Sequence, residues 1–256
     1  MIVRIVDPGD PRIADYREVR ERDLHRGGGF MAEGEVVLRK AVHGRHRLRS
    51  LLLAEDRVAA LADVIAALPD TVPVHVASQA VMDGIVGFHI HRGVLAYGER
   101  AAEPDPGALL SGTDLVVVLY GVANTDNMGG VFRNAAAFGA GAVLLDETCC
   151  DPLYRKAIRT SVGASLLVPF ARIGDPLAVL ERAGFTAIAL SPSGAETLRD
   201  MKRPARAALL LGAEGPGLPD AVMARCRTVS IPMAGGFDSL NLATTSGIAL
   251  HRLAFG

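Results

Sequence analysis

Two glycine-rich segments in the last quarter of the chain contain the residue types that build ligand pockets. The first is GAEGPGL at residues 212–218, and the second is IPMAGGFDSLNLATTSGIAL at residues 231–250. Each follows a short apolar run and then changes to Gly, Pro, Ser and Asn, which permit unusual backbone dihedrals and leave backbone hydrogen-bonding groups free. We therefore expect the two segments to line one shared pocket.

The second segment ends by starting a helix, and two polar side chains stand just before its apolar run. Ser239 and Asn241 can cap the first turn of this helix, or they can face outward into the pocket. The local pattern does not separate these two interpretations. Only the outward orientation gives the two residues a chemical role.

A polar turn with a downstream arginine is the third candidate. The sequence GVANTDNMGGVFRNAAAFG at residues 121–139 places Asp126 and Asn127 where either could cap a helix, with Arg133 about a turn and a half further along. Arg133 could equally be a solvated surface residue. No G-x-G-x-x-G follows an early strand and no G-x-x-x-x-G-K-[ST] occurs, so NAD and ATP are poor candidates for the ligand.

These candidates need a scaffold, and the second half of the chain predicts a mainly parallel sheet with helices on both faces. Its apolar runs, which we interpret as buried strands, lie at residues 115–120, 142–146, 166–171, 186–191, 208–212 and 228–232. Helical patterns separate them at residues 128–138, 152–161, 176–183 and 219–224. Ligands of such sheets bind outside the carboxyl ends of the strands, where both glycine-rich segments fall.

The first half of the chain predicts a smaller α/β domain. Helical patterns at residues 30–42, 58–68 and 80–86 alternate with strand patterns at residues 48–54, 72–77 and 93–97. Small, acidic and proline residues interrupt the alternation at residues 98–114. We therefore divide the chain into one domain at residues 1–105 and another at residues 106–256.

Composition limits the class of protein. Of the 256 residues, 50% are hydrophobic and 21% are charged, with a formal net charge of −1, as in soluble globular domains. No apolar stretch approaches the ~20 residues of a membrane helix, and the charged N-terminal region is unlike a secretory signal, so we expect a cytoplasmic protein.

Cys149, Cys150 and Cys226 are expected to be free thiols. No spacing of His or Cys predicts a metal site, so we expect none.

Three segments together resemble the signature motifs of the SpoU (TrmH-type) RNA 2'-O-ribose methyltransferases of the SPOUT superfamily. They are N-x-G-x-x-x-R-x-A at residues 127–135, LLLGAEGPGL at residues 209–218, and IPM with SLNLATTSGIAL within residues 231–250. Their order is that of the family, and the resemblance covers the whole second half. More weakly, FMAEGEVVLRKAV and HIHRGVLAYGE are similar to the ribosomal-protein-like RNA-binding domain that precedes it in many members.

The resemblance implies a fold, a cofactor and an assembly. It implies that the C-terminal segment is threaded through a loop as a deep trefoil knot, an exception to the rule of unknotted chains. It also implies S-adenosyl-L-methionine (S-adenosylmethionine), bound in a bent shape by the knotted loops, and a homodimer whose partner helps to complete the active site. The implied reaction is methyl transfer to a ribose 2'-hydroxyl of structured rRNA or tRNA.

Carried onto this chain, the resemblance implies a catalytic cluster of Asn127, Arg133, Glu214, Ser239 and Asn241. Arg133 would lie closest to the 2'-hydroxyl, and because a guanidinium stays protonated we expect it to clamp phosphate rather than act as a base. Taken alone, Glu214 could instead cap a turn. The implied cofactor contacts are at Ser191, Gly212, Ala213, Glu214, Gly217, Ile231, Met233, Ser239 and Leu240.

The densest basic run, RKAVHGRHRLR at residues 39–49, lies in the first half and contains no acid. We expect its cations to contact an RNA backbone together with Arg133; they are Arg39, Lys40, Arg45, Arg47 and Arg49. His25 and Arg26, just upstream, could join this surface. The alternative is a solvated helix C-terminus, where cations are favoured in any case.

Two other functions fit the same sequence. One is a non-catalytic RNA-binding factor that keeps the fold and the pocket, although the intact set of catalytic candidates argues against it. The other is a knotted enzyme that methylates a base. A ribose product is distinguished from a base product because methylation of the 2'-hydroxyl makes the nucleotide resistant to alkaline cleavage at its 3' side.

Overall fold

The computed structural model describes residues 2–17, 27–86, 92–236 and 239–256. The chain forms two compact units. The first unit contains Met1–Ala102 and Leu153–Leu167, and the second contains Glu103–Pro152 and Val168–Gly256. The segment Leu153–Leu167 therefore belongs to the first unit, whereas the division made from the sequence assigns it to the second domain.

Within its described residues, the first unit contains a five-stranded mixed sheet in the order β1-β4-β3-β5-β2. The strands are β1 (Ile2–Ile5), β2 (Gly29–Glu33), β3 (Arg47–Ala54), β4 (Val74–Ala77) and β5 (Val94–Glu99). β4 pairs in parallel with β1 and β3, and β5 pairs antiparallel with β3 and β2. The helices between the strands are α1 (Glu35–Val42), α2 (Ala62–Ala67) and α3 (Gln79–Val86).

The predicted helix at residues 30–42 is wrong over its first residues, which form β2. Phe30, Met31 and Ala32 pair with β5 and are buried, so strand pairing overrides the local helical pattern. Gly34, with a φ of 92°, then separates the strand from α1. Only glycine adopts this φ without strain, which explains why the helix begins at Glu35.

Within its described residues, the second unit contains a seven-stranded sheet in the order β10-β12-β9-β11-β6-β7-β8, and all its pairings are parallel. The strands are β6 (Leu115–Leu119), β7 (Ala142–Leu145), β8 (Phe170–Arg172), β9 (Thr186–Leu190), β10 (Glu196–Thr197), β11 (Ala207–Leu211) and β12 (Arg227–Ser230). Every residue of β6, β7 and β11 is buried, as is typical of parallel strands covered on both faces. The predicted parallel α/β sheet is confirmed.

The helices predicted in the second half are present, and the structure adds one, α4 (Pro106–Ser111), within residues 98–114, where no helix was predicted. The others are α5 (Thr125–Ala137), α6 (Arg155–Thr160), α7 (Pro176–Arg182), α8 (Asp220–Met223) and α9 (Leu242–Phe255). Of these, α6 lies in the first unit, where it packs on β2. The strand predicted at residues 166–171 is shorter than expected because Ala164–Leu166 forms a 3₁₀ helix after Gly163, whose φ is 79°.

The C-terminal helix α9 packs along α5. A Cβ on Gly130 would lie 2.4 Å from the Cβ of Ala243, so the helices approach closely there. The Nδ2 of Asn134 donates to the carbonyl oxygen of Ala243 at 2.7 Å and to Oγ of Ser246 at 2.9 Å. Further along, the ring of Phe138 contacts that of His251. Because the contacts advance in the same direction on both helices, the two N-termini lie side by side.

Candidate functional site

Four neighbouring strands of the second unit carry the segments that surround the site. β12, β9, β11 and β6 are adjacent and parallel, so their carboxyl ends share one edge of the sheet. Tyr120 follows β6, Ser191 follows β9, Gly212 follows β11 and Ile231 follows β12. Because ligands of open α/β sheets bind at this edge, the fold gathers the segments in the expected place.

A cavity of about 510 Å³ lies at this edge. All the residues that the sequence suggested for cofactor binding line it, namely Ser191, Gly212, Ala213, Glu214, Gly217, Ile231, Met233, Ser239 and Leu240. The volume lies within the range of roughly 300–1,000 Å³ that small-molecule sites occupy. Among the described residues that line the cavity, Glu214 is the only charged one.

The glycines of residues 212–218 are required by close backbone approach. A Cβ on Gly212 would lie 2.2 Å from the carbonyl carbon of Gly217, which no side chain tolerates. Gly215 and Gly217 have φ values of 89° and 71°, in the left-handed region that favours glycine. The N–H of Gly217 donates to the carbonyl oxygen of Ala213 at 3.0 Å and closes the loop. Larger residues would therefore disrupt this wall of the cavity.

Three of the five residues suggested as catalytic are joined by hydrogen bonds. The Nδ2 of Asn127 donates to Oε1 of Glu214 at 2.6 Å, and the Nδ2 of Asn241 donates to Oδ1 of Asn127 at 2.9 Å. Asn127 is 3% exposed, so both of its amide atoms are held in a buried position. Glu214 and Asn241 also line the cavity. The hydrogen bonds therefore run in one direction, from Asn241 through Asn127 to Glu214, and these three side chains border the cavity. We name them the amide–carboxylate row.

Asn241 both caps α9 and contacts a residue of the site, so the two interpretations left open by the sequence are both correct for it. Its Oδ1 accepts hydrogen bonds from the N–H groups of Ala243 and Thr244, at 3.0 and 3.2 Å, and so caps α9. Its Nδ2 is thereby turned toward Asn127. Ser239 does not cap this helix, since Asn241 is the capping residue, and it lines the cavity instead. The helix cap and the site are therefore one structure.

The predicted cap of α5 is wrong. The capping residue is Asn124, whose Oδ1 accepts from the N–H groups of Asp126 and Asn127 at 2.8 and 3.3 Å. Because the helix begins before Asn127, the side chain of Asn127 lies inside its first turn and is available to Glu214. The signal that favoured this cap was present in the sequence, since Asn124 is the first polar residue after the strand.

Arg133 is not part of the amide–carboxylate row within this chain. It is exposed, it does not line the cavity, and no other residue in the described ranges forms a hydrogen bond or ion pair with its guanidinium. Six residues beyond Asn127, it lies roughly 120° around the helix axis from that residue. The structure thus leaves this cation on the protein surface.

Several residues that line the cavity were not predicted from the sequence, among them Pro192, Leu242 and Thr245. Thr245 stands one helical turn after Asn241 and therefore lies on the same side of α9. Its Oγ1 donates to the carbonyl oxygen of Leu240 at 3.4 Å. Helical spacing from Asn241 is the signal that would have identified it.

In the first unit, acidic partners engage two of the cations suggested for RNA contact. Arg39 forms ion pairs with Glu35 and Asp63, at 2.9 and 2.5 Å. Arg49 pairs with Glu99 at 2.6 Å. The run at residues 39–49 contains no acid, but the fold supplies acids from neighbouring elements. Arg39 and Arg49 therefore have acidic partners in the folded chain, although their own run supplies none.

Backbone carbonyls engage two more of these cations. The Nζ of Lys40 donates to the carbonyl oxygen of Val162 at 2.7 Å, and Arg45 donates to that of Ala102. Lys40 thus fastens α1 to the segment Leu153–Leu167. Arg47 differs because it is exposed and, within the described ranges, has no hydrogen-bond or ion-pair partner. His25 and Arg26 lie outside the described residues.

The described residues contain no cluster of His, Cys, Asp or Glu that could hold a metal ion. Cys149, Cys150 and Cys226 are free thiols, as expected. Over the same part of the chain, none of the helices has the length and apolar character needed to span a membrane.

A parallel α/β sheet with a loop-built cavity at its carboxyl edge defines the class of protein: an α/β protein with a small-molecule site bordered by a fixed amide–carboxylate row. The family follows from sequence. Residues 114–251 match the SpoU rRNA Methylase family, and an uncharacterized tRNA/rRNA methyltransferase of Mycobacterium bovis is 39% identical over 97% of this chain and 90% of its own length. The chain belongs to the SpoU rRNA methylase family and is an RNA methyltransferase of that family, which confirms the resemblance.

Solved structures support the fold. An AdoMet-bound rRNA methyltransferase from Sinorhizobium meliloti superposes with a TM-score of 0.82 at 24% identity, covering 98% of this chain and 97% of its own. The SpoU methyltransferase AviRb from Streptomyces viridochromogenes, in complex with AdoMet, has a TM-score of 0.81 at 24% identity. The match covers 96% of this chain and 98% of the AviRb chain. A structure described as an RNA 2'-O ribose methyltransferase has a TM-score of 0.78 at 24% identity, covering 98% of both chains.

Proposed function

We propose that this protein uses S-adenosylmethionine to methylate a ribose 2'-hydroxyl of structured rRNA or tRNA. The observation that carries the proposal is the amide–carboxylate row, formed by Asn241, Asn127 and Glu214 beside a cavity whose other described lining residues are uncharged. The relatives support the RNA substrate class, and the AdoMet complexes among the structural neighbours support the cofactor. The neighbour that is named a 2'-O ribose methyltransferase supports the ribose target.

The residues of the cavity fit S-adenosylmethionine. Ile231, Met233 and Leu240 offer apolar contact for an adenine ring, and the loop around Gly212 keeps side chains out of the way of a nucleoside. The carboxylate of Glu214 gives the cavity a negative group that suits a sulfonium cation. Ser191 lines the cavity with a hydroxyl that can contact a polar part of the cofactor.

S-adenosylmethionine, when bound, supplies an electrophilic methyl group. The protein must hold the acceptor oxygen in line with that group and favour transfer of the hydroxyl proton to solvent water. Asn241 holds Asn127, and Asn127 holds Oε1 of Glu214, so the carboxylate has a fixed orientation before substrate arrives. We assign Ser239 and Asn241 to the acceptor side of the cavity. Arg133 binds the adjacent phosphate and stabilises negative charge on the ribose oxygen.

The proposal includes a homodimer whose partner completes the site. Arg133 is exposed and outside the cavity of its own chain, so a second copy is the simplest way to bring it to bound RNA. Exposed apolar residues on α9 are also available for association. Ile248 is 42% exposed and Phe255 72% exposed, and the ring of Phe255 contacts those of Phe138 and His251.

Mixed dimers test this arrangement. Arg133→Ala and Glu214→Ala chains, each expected to be inactive alone, should recover activity when they are co-expressed and purified together. One site of each mixed dimer is then intact, which gives about a quarter of wild-type activity for statistical mixing of a two-fold assembly. Methyl transfer per dimer and the mass of the assembly are the measurements. No recovery in a verified mixed dimer would place both residues in one chain's site.

We propose the first unit as the RNA-binding domain. It contains most of residues 1–105, which the sequence predicted as a separate domain. Arg47 offers an unpaired guanidinium to phosphate, and Arg39, Lys40, Arg45 and Arg49 remain candidates that must exchange a partner to reach RNA. The loss of one phosphate contact weakens binding without changing sequence preference.

The proposal also includes the deep trefoil knot at the C-terminal segment and a cytoplasmic location.

Arg47→Ala should lower affinity for bulk rRNA or tRNA by about fivefold and reduce the slope of log Kd against log salt by about one, as expected for one lost phosphate contact. Fluorescence anisotropy at several salt concentrations provides both quantities. The matched control is Arg4→Ala, because Arg4 is 75% exposed, pairs with Glu55 and lies on the edge strand β1. Equal losses in the two variants would show that net charge, not a contact at Arg47, controls affinity.

Ribose-methylation mapping of all stable RNAs, from cells with and without the gene, tests the function itself. One lost 2'-O-methyl signal is expected, and it would identify the RNA and the nucleotide together. A lost base modification with unchanged ribose signals would favour base methylation. Cofactor binding without transfer to RNA from cells lacking the gene would favour the non-catalytic factor.

A further inference from the structure

Several hydrogen bonds join a short turn after β7 to the loop that leads into α5. We call residues 146–150 the Asp146 turn and residues 119–124, which begin with the last residue of β6, the β6–α5 loop. Their backbones are joined at both ends, since the N–H of Asp146 donates to the carbonyl oxygen of Leu119 at 3.0 Å and the N–H of Cys150 donates to that of Val122 at 2.9 Å. Neither segment belongs to the signature motifs or lines the cavity.

The Asp146 carboxylate is the centre of this connection. Its Oδ2 accepts from the N–H of Gly121 at 3.1 Å, and its Oδ1 accepts from the N–H groups of Thr148 and Cys149 at 3.0 and 2.9 Å. Burial by itself raises the pKa of Asp146, but the hydrogen bonds from Gly121, Cys149 and Thr148 outweigh it and hold the pKa below its ordinary value. The group is therefore a carboxylate that fixes both segments.

The thiol of Cys149 makes a second connection between the same segments. Its Sγ donates to the carbonyl oxygen of Leu119 at 3.4 Å and accepts from the N–H of Val122 at 3.3 Å. Burial raises the pKa of Cys149 to about 12, so the thiol keeps the proton that it donates. Arg172 supports the turn from the other side, because its Nη1 donates to the carbonyl oxygens of Asp146 and Cys149 at 2.9 Å each.

The β6–α5 loop leads directly to the amide–carboxylate row. Gly121 adopts a φ of 66°, and a Cβ at that position would lie 3.3 Å from the Cβ of Ala213, beside Glu214. Three residues after Gly121, Asn124 caps α5 and sets the position of Asn127, which bonds Glu214. A shift of the loop would therefore move Asn127 away from the carboxylate it orients.

We propose that Asp146 is a positioning residue for methyl transfer: by holding the β6–α5 loop through Gly121, it keeps Asn127 in register with Glu214. The inference rests on the proposed function, because it concerns the same site. Asp146 does not touch the cavity and has no direct contact with substrate or cofactor. Its effect is transmitted through the cap at Asn124.

Asp146→Asn is the direct test, because the amide keeps the size of the side chain but cannot accept from Gly121, Thr148 and Cys149 at the same time. The single-turnover rate of methyl transfer should fall by about tenfold to a hundredfold, the effect of a displacement near 1 Å. The Kd for S-adenosylmethionine and the KM for RNA should stay within about twofold. Thr148→Val is the matched control, since it removes only the hydroxyl bonds to Asp146 and leaves Gly121 bonded.

A double variant separates positioning from a general loss of structure. In an Asn127→Ala background the hydrogen bond to Glu214 that the loop positions is already absent. Adding Asp146→Asn should therefore slow transfer by less than about twofold. Two independent, multiplying losses would overturn the proposal, as would unchanged transfer in Asp146→Asn. If Asp146→Asn does not fold, Cys149→Ala takes its place with the same expected pattern and the same contrary outcomes.

Hydrogen exchange distinguishes failure of this inference from failure of the proposed function. The amides of Gly121 and Val122 should exchange at least about tenfold faster in Asp146→Asn than in wild-type protein. If the wild-type protein methylates no RNA, the proposed function fails while this measurement still reports on the connection. Active wild-type protein with unchanged exchange at both amides would overturn the inference alone.

Discussion

Arg133→Ala is expected to reduce methyl transfer at least about a hundredfold, as seen when one preorganised electrostatic group is removed from a transition state. The Kd for S-adenosylmethionine should stay within about twofold, because Arg133 does not line the cavity. Isothermal titration calorimetry and single-turnover transfer from labelled cofactor provide the two quantities. The structural reason is that the exposed guanidinium is unpaired among the described residues and is available to RNA.

Two further variants define the role of this arginine. Arg133→Lys keeps the charge but loses the planar fork, so it should retain only part of the activity if bidentate phosphate binding matters. Arg182→Ala removes an exposed arginine at the end of α7 in the same unit and should leave transfer unchanged. Full activity in Arg133→Ala would remove this residue from the mechanism.

Gly212→Ala is expected to weaken cofactor binding strongly, with a Kd raised at least about a hundredfold, or about 2.7 kcal/mol. The added Cβ would lie 2.2 Å from the carbonyl carbon and 2.3 Å from the carbonyl oxygen of Gly217, both of them backbone atoms that cannot rotate away. The loop must therefore open, which separates Ala213 from Gly217 and displaces Glu214. Calorimetric titration with S-adenosylmethionine measures the loss, and circular dichroism establishes that the variant is folded.

A glycine with open surroundings provides the control for this change. Gly174 has no atom within 4 Å of an added Cβ and does not have a positive φ, so Gly174→Ala should bind S-adenosylmethionine like the wild-type protein. A folded Gly212→Ala protein that kept its affinity would show that the loop tolerates expansion. Binding of S-adenosylmethionine would then not depend on the close approach of Gly212 to Gly217.

The elements that local chemistry decides were predictable from the sequence. Apolar runs such as residues 115–120 and 208–212 predicted buried strands that the structure contains as β6 and β11. The glycine-rich segments at residues 212–218 and 231–250 predicted the loops of the cavity. The region of Phe30 was not predictable in this way, because pairing with β5 is a distant interaction that overrides a helical pattern.

For the site, the sequence predicted which polar residues are present but not which residues they contact. Asn241 could be recognised as a cap or as a site residue, and only the packing of α9 along α5 reveals that it is both. Asp146, which lies outside every motif, gives no local signal at all. Its importance arises because parallel strands bring the ends of β6 and β7 together.

Strand and turn preferences act over a few residues, so local patterns were enough to predict the parallel α/β class and the glycine loops. Only the folded chain reveals that Arg39 and Arg49 pair with acids, that Leu153–Leu167 belongs to the first unit, and that Arg133 lies outside its own cavity. The physical reason is that ion pairs and burial depend on residues that are close in space and distant along the chain.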